Sequence, residues 1–588
     1  MPQKEWTVMI YMSGDNNLAV DMAYAMEQIR EVAKIGAKRL DLFVYYDGNS
    51  PEIPTVYCDF SNPDDPKYFR SCMVPDKLYP VPAKLNENAA DRRSVLNFVD
   101  WCVNRPGQRS KRHALIFSGH SLGFEDRGLF RDESSGRSMK ISDLFFLIQR
   151  IVLPKPTLEE IAATEKLKGE ELERETTELI GRPLDILGFD SCVMGMLEVG
   201  YQFSDVTETM IASEGSVPSA GWTYAKILGG LAAGRFCRSS AKKVAEHFVK
   251  EFISSQDRYT VGGVSVDMAA WDMSRFRDLA DALDGLAQVL IECFRNEDSR
   301  IYRLMERVVL QAHWKCQSYM LDQNVDLGDL CELLKAEVEM WADDLGSDEP
   351  LLREVAHVCD NVLAILRKTV ILSGFSGGGY QYSNGVSVFF PWSWNAYLVS
   401  QKNYESTWYA KDSKNNNFAA RWLGWADFLK LYLGKVARRS SAPLSDGASS
   451  GEKYRYLSGI RFADEDSIGG DAETAVSSRL GGSGSSTKLG GSGSSTKLGG
   501  SGSSTKLGGS GSSTKLGGSG SSTKLGGSGS STKLGGSGSS TKLGGSGSST
   551  KLGGLAADSF FTTLRLFKNI ESDWNISGFS KRPDDSDA

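Results

Sequence analysis

The sequence predicts an α/β fold, a three-layer sandwich with a mostly parallel central sheet between helices, plus a helical C-terminal portion and a disordered repeat linker. Three observations carry this reading. Short β-branched or aromatic runs alternate with longer helical patterns through the first half of the chain. About 40% of the 588 residues are apolar, enough for a large core. Past residue 436 the apolar patterning stops, and a perfect nine-residue unit, GGSGSSTKL, repeats eight times from Gly481 to Leu552.

The elements follow in order. Trp6–Met12 is a strand ending in a Ser-Gly-Asp-Asn-Asn turn, where Asp15, Asn16 and Asn17 read as a turn-and-cap device. Leu18–Ile35 places Leu18, Met22, Met26, Ile29 and Val32 at helical spacing, and Gly36 stops it. Leu40–Tyr46 is a second strand, Arg93–Val103 a helix, Ala114–Phe117 a third strand and Leu184–Phe189 a fourth. The charged, Pro-flanked stretch 153–183 is expected to be a helical insertion or a mobile loop. Ala270–Lys368 is mostly helical in pattern, Gly374–Gly379 a glycine-rich turn, Gly385–Phe390 a strand before Pro391, and Ala419–Leu433 a closing helix. The domain expectation is one compact unit over 1–435, divided at 230 between an α/β core and a mainly helical part with a late strand. A linker over 436–480, the repeat over 481–552 and an aromatic-rich tail over 553–588 follow. One Leu per nine residues builds no hydrophobic face, so the repeat is expected to be a flexible coil. The tail is expected to dock on the core or on a partner.

Composition excludes several classes. With 67 Lys+Arg against 74 Asp+Glu, the net charge of −7 offers no basic footprint for nucleic acid. Nine singly scattered cysteines, with no CxxC pair, suggest neither a zinc site nor a disulfide framework, and no set of metal ligands stands out. The N-terminus lacks a secretory signal pattern and no run reaches the ~20 apolar residues of a membrane span, so a cytoplasmic location is the expectation.

The chemistry gathers at two strand ends. In DILGFDSCVMGMLEVGYQ an apolar strand ends at Phe189 and a helix is expected near Val193. That puts Cys192 at the positive end of a helix dipole, which favours the nucleophilic thiolate. In HALIFSGHSLGFED, His120 follows an apolar strand through Ser-Gly. In parallel sheets such positions open on one crevice, where an imidazole can take the thiol proton and protonate a leaving amine. The backbone N–H groups of Ser121 and Cys192 are candidate oxyanion donors.

These stretches resemble the clostripain family of cysteine peptidases, relatives of gingipains and caspases. WTVMIYMSGDNNL is similar to the family's opening strand, ALIFSGH to the strand ending in its catalytic His, and GFDSCVMGMLEVGYQ to its nucleophile segment. ASEGSVPSAGWTY is similar to the segment that follows, and NGVSVFFP more weakly to a late strand. The resemblance covers residues 5–435 and implies a caspase-like fold, a His120/Cys192 dyad and protein or peptide substrates. It implies Asp190 as the acid that recognises a basic residue before the cleaved bond, with Glu214 and Trp222 also binding substrate. Asp190 could equally be a cap on the nucleophile turn. Self-cleavage within 154–182 and calcium as a candidate cofactor are further implications. Two positions depart from the family pattern: Ser121 stands where Gly is common, and Thr223 supplies no second acid. The competing expectation is a catalytically silent caspase-like docking module with a flexible interaction tail.

Overall fold

The structure, a computed structural model, describes residues 4–441 apart from short internal breaks (the longest at 409–422) and, beyond them, four short segments between 497 and 552. The expected tail lies outside the described residues. Strands β1 (Trp6–Ser13), β2 (Leu40–Asp47), β3 (Val56–Asp59), β4 (Lys67–Arg70), β5 (Arg112–Ser118), β8 (Leu184–Asp190), β9 (Thr207–Ala212), β10 (Val266–Asp272) and β12 (Val370–Ser376) form one nine-stranded sheet. Their order is β12-β10-β9-β8-β5-β1-β2-β3-β4. The five central strands from β9 to β2 are parallel, and the pairs at both margins are antiparallel.

Alternation explains the layers. Met9, Tyr11, Phe43, Tyr45, Leu115, Phe117, Leu187 and Phe189 point to one face and pack with helices 92–103, 141–152, 276–293 and 350–369. Tyr11 and Tyr45 stack at 4.1 Å there. Helices 19–36, 224–232 and 241–254 pack together, and 241–254 covers β8, β9, β10 and β12. Helix starts carry local signals: Asp91 accepts from the Arg93 N–H and Ser240 from the Lys243 N–H.

Most expected elements fall close to their place; the closing helix, expected over 419–433, is described over Leu423–Ser441, and the glycine-rich turn differs in kind. The expected turn over 374–379 is in its first half edge strand β12: Gly374 pairs with Met268, and a side chain there would meet Ile253 at 3.2 Å, so the close approach of helix 241–254 uses the glycine. The late strand is β13 (Ser387–Phe389), which pairs with β11 (Asn324–Asp326) in a separate two-stranded sheet. Because β10 and β12 complete the main sheet, the expected division at 230 cuts through one sheet rather than between two parts. The 153–183 stretch folds as helices 155–165 and 169–176, joined through Lys166 in the left-handed conformation. A hairpin of β6 (Leu129–Asp132) and β7 (Arg137–Met139) follows the His120 turn. No helix among the described residues is long and apolar enough to cross a membrane.

One unit runs to residue 437 and a second spans 438–561. In the second, four segments, Lys497–Leu498, Thr514–Leu516, Thr532–Leu534 and Thr550–Leu552, pair in parallel register. This differs from the coil expected at these positions. Parallel pairing draws on backbone hydrogen bonds, which identical triplets 18 residues apart can align without an apolar face.

Candidate active site

The parallel strands run in spatial order β2-β1-β5-β8-β9, so the chain reverses direction across the sheet between β1 and β5. A crevice opens at the carboxyl ends of strands at such a reversal. Register aligns those ends: Ser13 lies opposite Asp47, Met12 opposite Ser118, and Ser118 opposite Asp190. His120 leaves β5 and Cys192 leaves β8, side by side. The Gly119 N–H donates to the Asp190 carbonyl at 3.3 Å, and the Ser121 hydroxyl donates to the Cys192 carbonyl. The two expected turns are thus tied together.

His120 Nε2 sits 2.7 Å from Asn17 Oδ1, a contact from the end of β1 that sequence reasoning missed. The Phe130 N–H donates to the His120 carbonyl at 3.0 Å. Burial, and then the charge of Arg131, hold the imidazole pKa below its ordinary value.

Cys192 departs from expectation. The helix after it begins at Leu197, not near Val193, and Val193 instead takes a left-handed turn at φ 59°. The Val193 N–H on the Gly215 carbonyl at 2.8 Å and the Gly195 N–H on the Ser213 carbonyl at 2.7 Å hold this turn. A β-branched residue there costs roughly 1–3 kcal/mol, which the surrounding bonds must hold. Contrary to expectation, the thiol does not sit at the first residue of a helix. Burial pushes its pKa up, with the Asp190 and Asp267 carboxylates adding to the effect, while the Val217 N–H, 3.4 Å from Sγ, opposes it. Both shifts favour the uncharged forms of the two side chains.

The expected substrate residues are placed differently. Asp190 is buried at the end of β8, taking the Ser118 hydroxyl at 3.0 Å, the Trp222 N–H at 3.0 Å and the Tyr224 hydroxyl at 2.9 Å. Burial raises its pKa to about 6. These are the bonds of a brace. Trp222 corrects the expectation outright: its ring is fully buried against Phe248, and a side chain at Gly188 would lie 2.9 Å from it. Glu214 is also fully buried; it accepts the Gly385 N–H at 2.9 Å, and burial beside Asp326 and Asp267 drives its pKa well up. Both were expected at a peptide-facing surface, and both instead pack the loop that carries Val217. Hydrophobic and acidic residues in one segment do not reveal which side of the loop they take.

Five neighbouring residues lacked a usable signal for their place here. Tyr380, after the glycine-rich stretch, bonds Ser216 and is close enough for Cys192 to perturb it. Asp21, in the first turn of helix 19–36, accepts from Ser219 of the same loop and is half-buried. Asp15, Asp47 and Asp132 bring carboxylate oxygens within 4.8 Å of one another beside the Asn17 turn. A cavity of about 620 Å³ lies at the opposite sheet edge, lined by His113, Lys155 and Arg182 among others, away from this chemistry.

A family model described as the clostripain family matches residues 160–431, which include Cys192 and begin after His120. The curated protein clostripain from Hathewaya histolytica is 22% identical over 468 residues, covering 74% of this chain and 82% of its own. Among solved structures, a secreted C11 cysteine protease from Bacteroides thetaiotaomicron bound to an irreversible peptide inhibitor is similar at 14% identity, over 73% of this chain and 99% of that one, with a TM-score of 0.45. An inactive zymogen C11 protease from Parabacteroides distasonis is similar at 16% identity, over 66% and 93%, with a TM-score of 0.42.

Proposed function

We propose that the chain is a clostripain-like cysteine peptidase, an endopeptidase cutting proteins or peptides after Lys or Arg through a Cys192/His120 dyad. The observation that carries this reading is the pairing of two turns at adjacent parallel strand ends, with Ser121 bonded to the carbonyl of Cys192 itself. In the proposed reaction the Cys192 thiol passes its proton to His120 as sulfur attacks the scissile carbonyl. The N–H groups of Ser121 and Cys192 face the developing oxyanion. The His120 imidazolium then protonates the departing amine, leaving a thioester that water hydrolyses with His120 as base. The directions of the two shifts, His120 down and Cys192 up, support a base-assisted attack rather than a preformed ion pair.

A preference for basic residues is supported by the half-buried carboxylate of Asp21, bonded to Ser219 of the Val217 loop. Self-cleavage is supported by Lys166 and Lys168 between two helices, of which 169–176 buries no residue. Nine singly scattered cysteines in the sequence favour a reducing, cytoplasmic setting.

Fluorogenic Arg and Lys peptides test the activity, with an electrophilic peptide to label Cys192. Turnover lost in Cys192→Ala is expected. No turnover and no labelling would instead favour the silent docking module. Intact-mass comparison of wild type and Cys192→Ala tests self-cleavage, and identical chains in both would sink it.

A further inference from the structure

The glycine-rich stretch after β12 ends in a short helical turn, Gly378–Tyr380, that no step of the proposed reaction uses. Its backbone is tied down at several points. The Gly379 N–H donates to the Ser265 hydroxyl at 2.8 Å, the Gln317 amide to the Gly379 carbonyl at 2.8 Å, and the Ser383 N–H to the Tyr380 carbonyl at 3.2 Å. The buried Tyr319 ring meets the Tyr380 ring edge-on, with centroids 5.1 Å apart. Tyr380 is thus set in place by its own turn and by Tyr319.

What it touches is the loop beside Cys192. A Cβ on Gly215 would lie 2.6 Å from both Cζ and Oη of Tyr380, and nearer still to Cε2. The φ of Gly215 is not positive, so the ring, rather than backbone conformation, requires glycine there. The Ser216 N–H and hydroxyl donate to the phenol oxygen. Successive loop residues therefore each have an anchor. Asp267 takes the N–H groups of Glu214 and Gly215 at 2.6 and 2.8 Å, and Tyr380 takes Ser216. The Val217 N–H then lies 3.4 Å from Cys192 Sγ. An N–H aimed at sulfur favours the thiolate over the thiol.

We propose that Tyr380 is a positioning residue for the nucleophile, holding Ser216 so that the Val217 N–H stays on the sulfur of Cys192. On the reading that Cys192 is the nucleophile, Tyr380 acts on it only through this loop. Asp190 at the end of β8 and Asp267 on β10 also act on the thiol, and burial raises their pKa values to about 6 and about 7. His120 stands on the neighbouring turn. Burial, and then the Asp267 carboxylate, hold the Tyr380 phenol above its ordinary pKa. Tyr380→Phe leaves all of these carboxylates and the imidazole in place, so a changed pH profile at Cys192 reports the lost bonds to Ser216.

The test uses the full-length chain and two comparisons. In Tyr380→Phe the ring still covers Gly215, so the Tm should stay within about two degrees of wild type. Iodoacetamide alkylation of Cys192 at pH 8 should nonetheless slow about threefold or more, with its profile moved to higher pH because the thiolate has lost a donor. In peptide turnover kcat should fall by a similar factor, with KM changed less than about twofold. An alkylation profile that coincides with wild type would overturn the proposal. The second comparison is a double-variant cycle. Gly215→Ala should lower the Tm on its own and cost nothing further once Tyr380→Ala is present. An equal loss in both backgrounds would show that the ring does not set the loop, and would overturn the proposal as well. Absence of peptide turnover in wild type would remove the peptidase reading, and both comparisons would still decide the role of Tyr380.

Discussion

The Ser121 hydroxyl donates to the backbone carbonyl of Cys192, so the residue after the proposed base holds the backbone of the proposed nucleophile. Ser121 is buried, and its removal leaves that carbonyl without its side-chain donor. A neutral hydrogen bond contributes about 1 kcal/mol net, so Ser121→Ala should lower kcat/KM about five- to tenfold. The fall should appear mainly in kcat, with little change in Tm. Unaltered kinetics with fluorogenic peptides would show that the bond does not position the nucleophile.

The proposed Cys192/His120 dyad has a pH signature. Burial lifts the thiol pKa above its ordinary value and lowers the imidazole pKa below its own. A thiolate is therefore scarce at neutral pH. Alkylation of Cys192 by iodoacetamide should rise roughly tenfold per pH unit from 7 to 9. A plateau reached already near pH 6 would mean a preformed thiolate–imidazolium pair and rule this arrangement out.

Glu198 lies under the nucleophile turn, fully buried, with one oxygen on the Phe389 N–H at 2.9 Å. Burial raises its pKa from 4.5 to about 7. Its contribution to stability is complete below the unfolded value and is lost as pH rises through the folded value. Glu198→Gln removes that loss. The Tm of the variant relative to wild type should thus climb between pH 5 and pH 8.5, and a flat difference would contradict the assignment.

Gly195 shows how tightly the turn is wrapped. A Cβ there would sit 2.5 Å from the backbone nitrogen of Glu214. Gly195→Ala must push one backbone segment from another, at a cost of about 1–3 kcal/mol. Chemical denaturation should report that loss together with weaker activity, and unchanged stability would mean that the loop yields freely.

The sequence by itself determined the strands that end in the chemistry. In Trp6–Ser13, Arg112–Ser118 and Leu184–Asp190, dense β-branched and aromatic residues are followed at once by Ser, Gly or Asp, and both signals are local. It also placed His120 and Cys192 one step beyond their strands, because a strand's end is visible without knowing its neighbours. Only the tertiary structure decided what surrounds them. Glu214 turns inward to the N–H of Gly385, and Trp222 to the space that Gly188 leaves, both distant in the chain. Strand β12 reads as a turn until β10 offers it a ladder. Asp15 reads as part of a cap until Asp47 and Asp132 arrive from two other elements. Side-chain period belongs to a segment, whereas burial, pairing and the field at a thiol are sums over partners far apart in sequence.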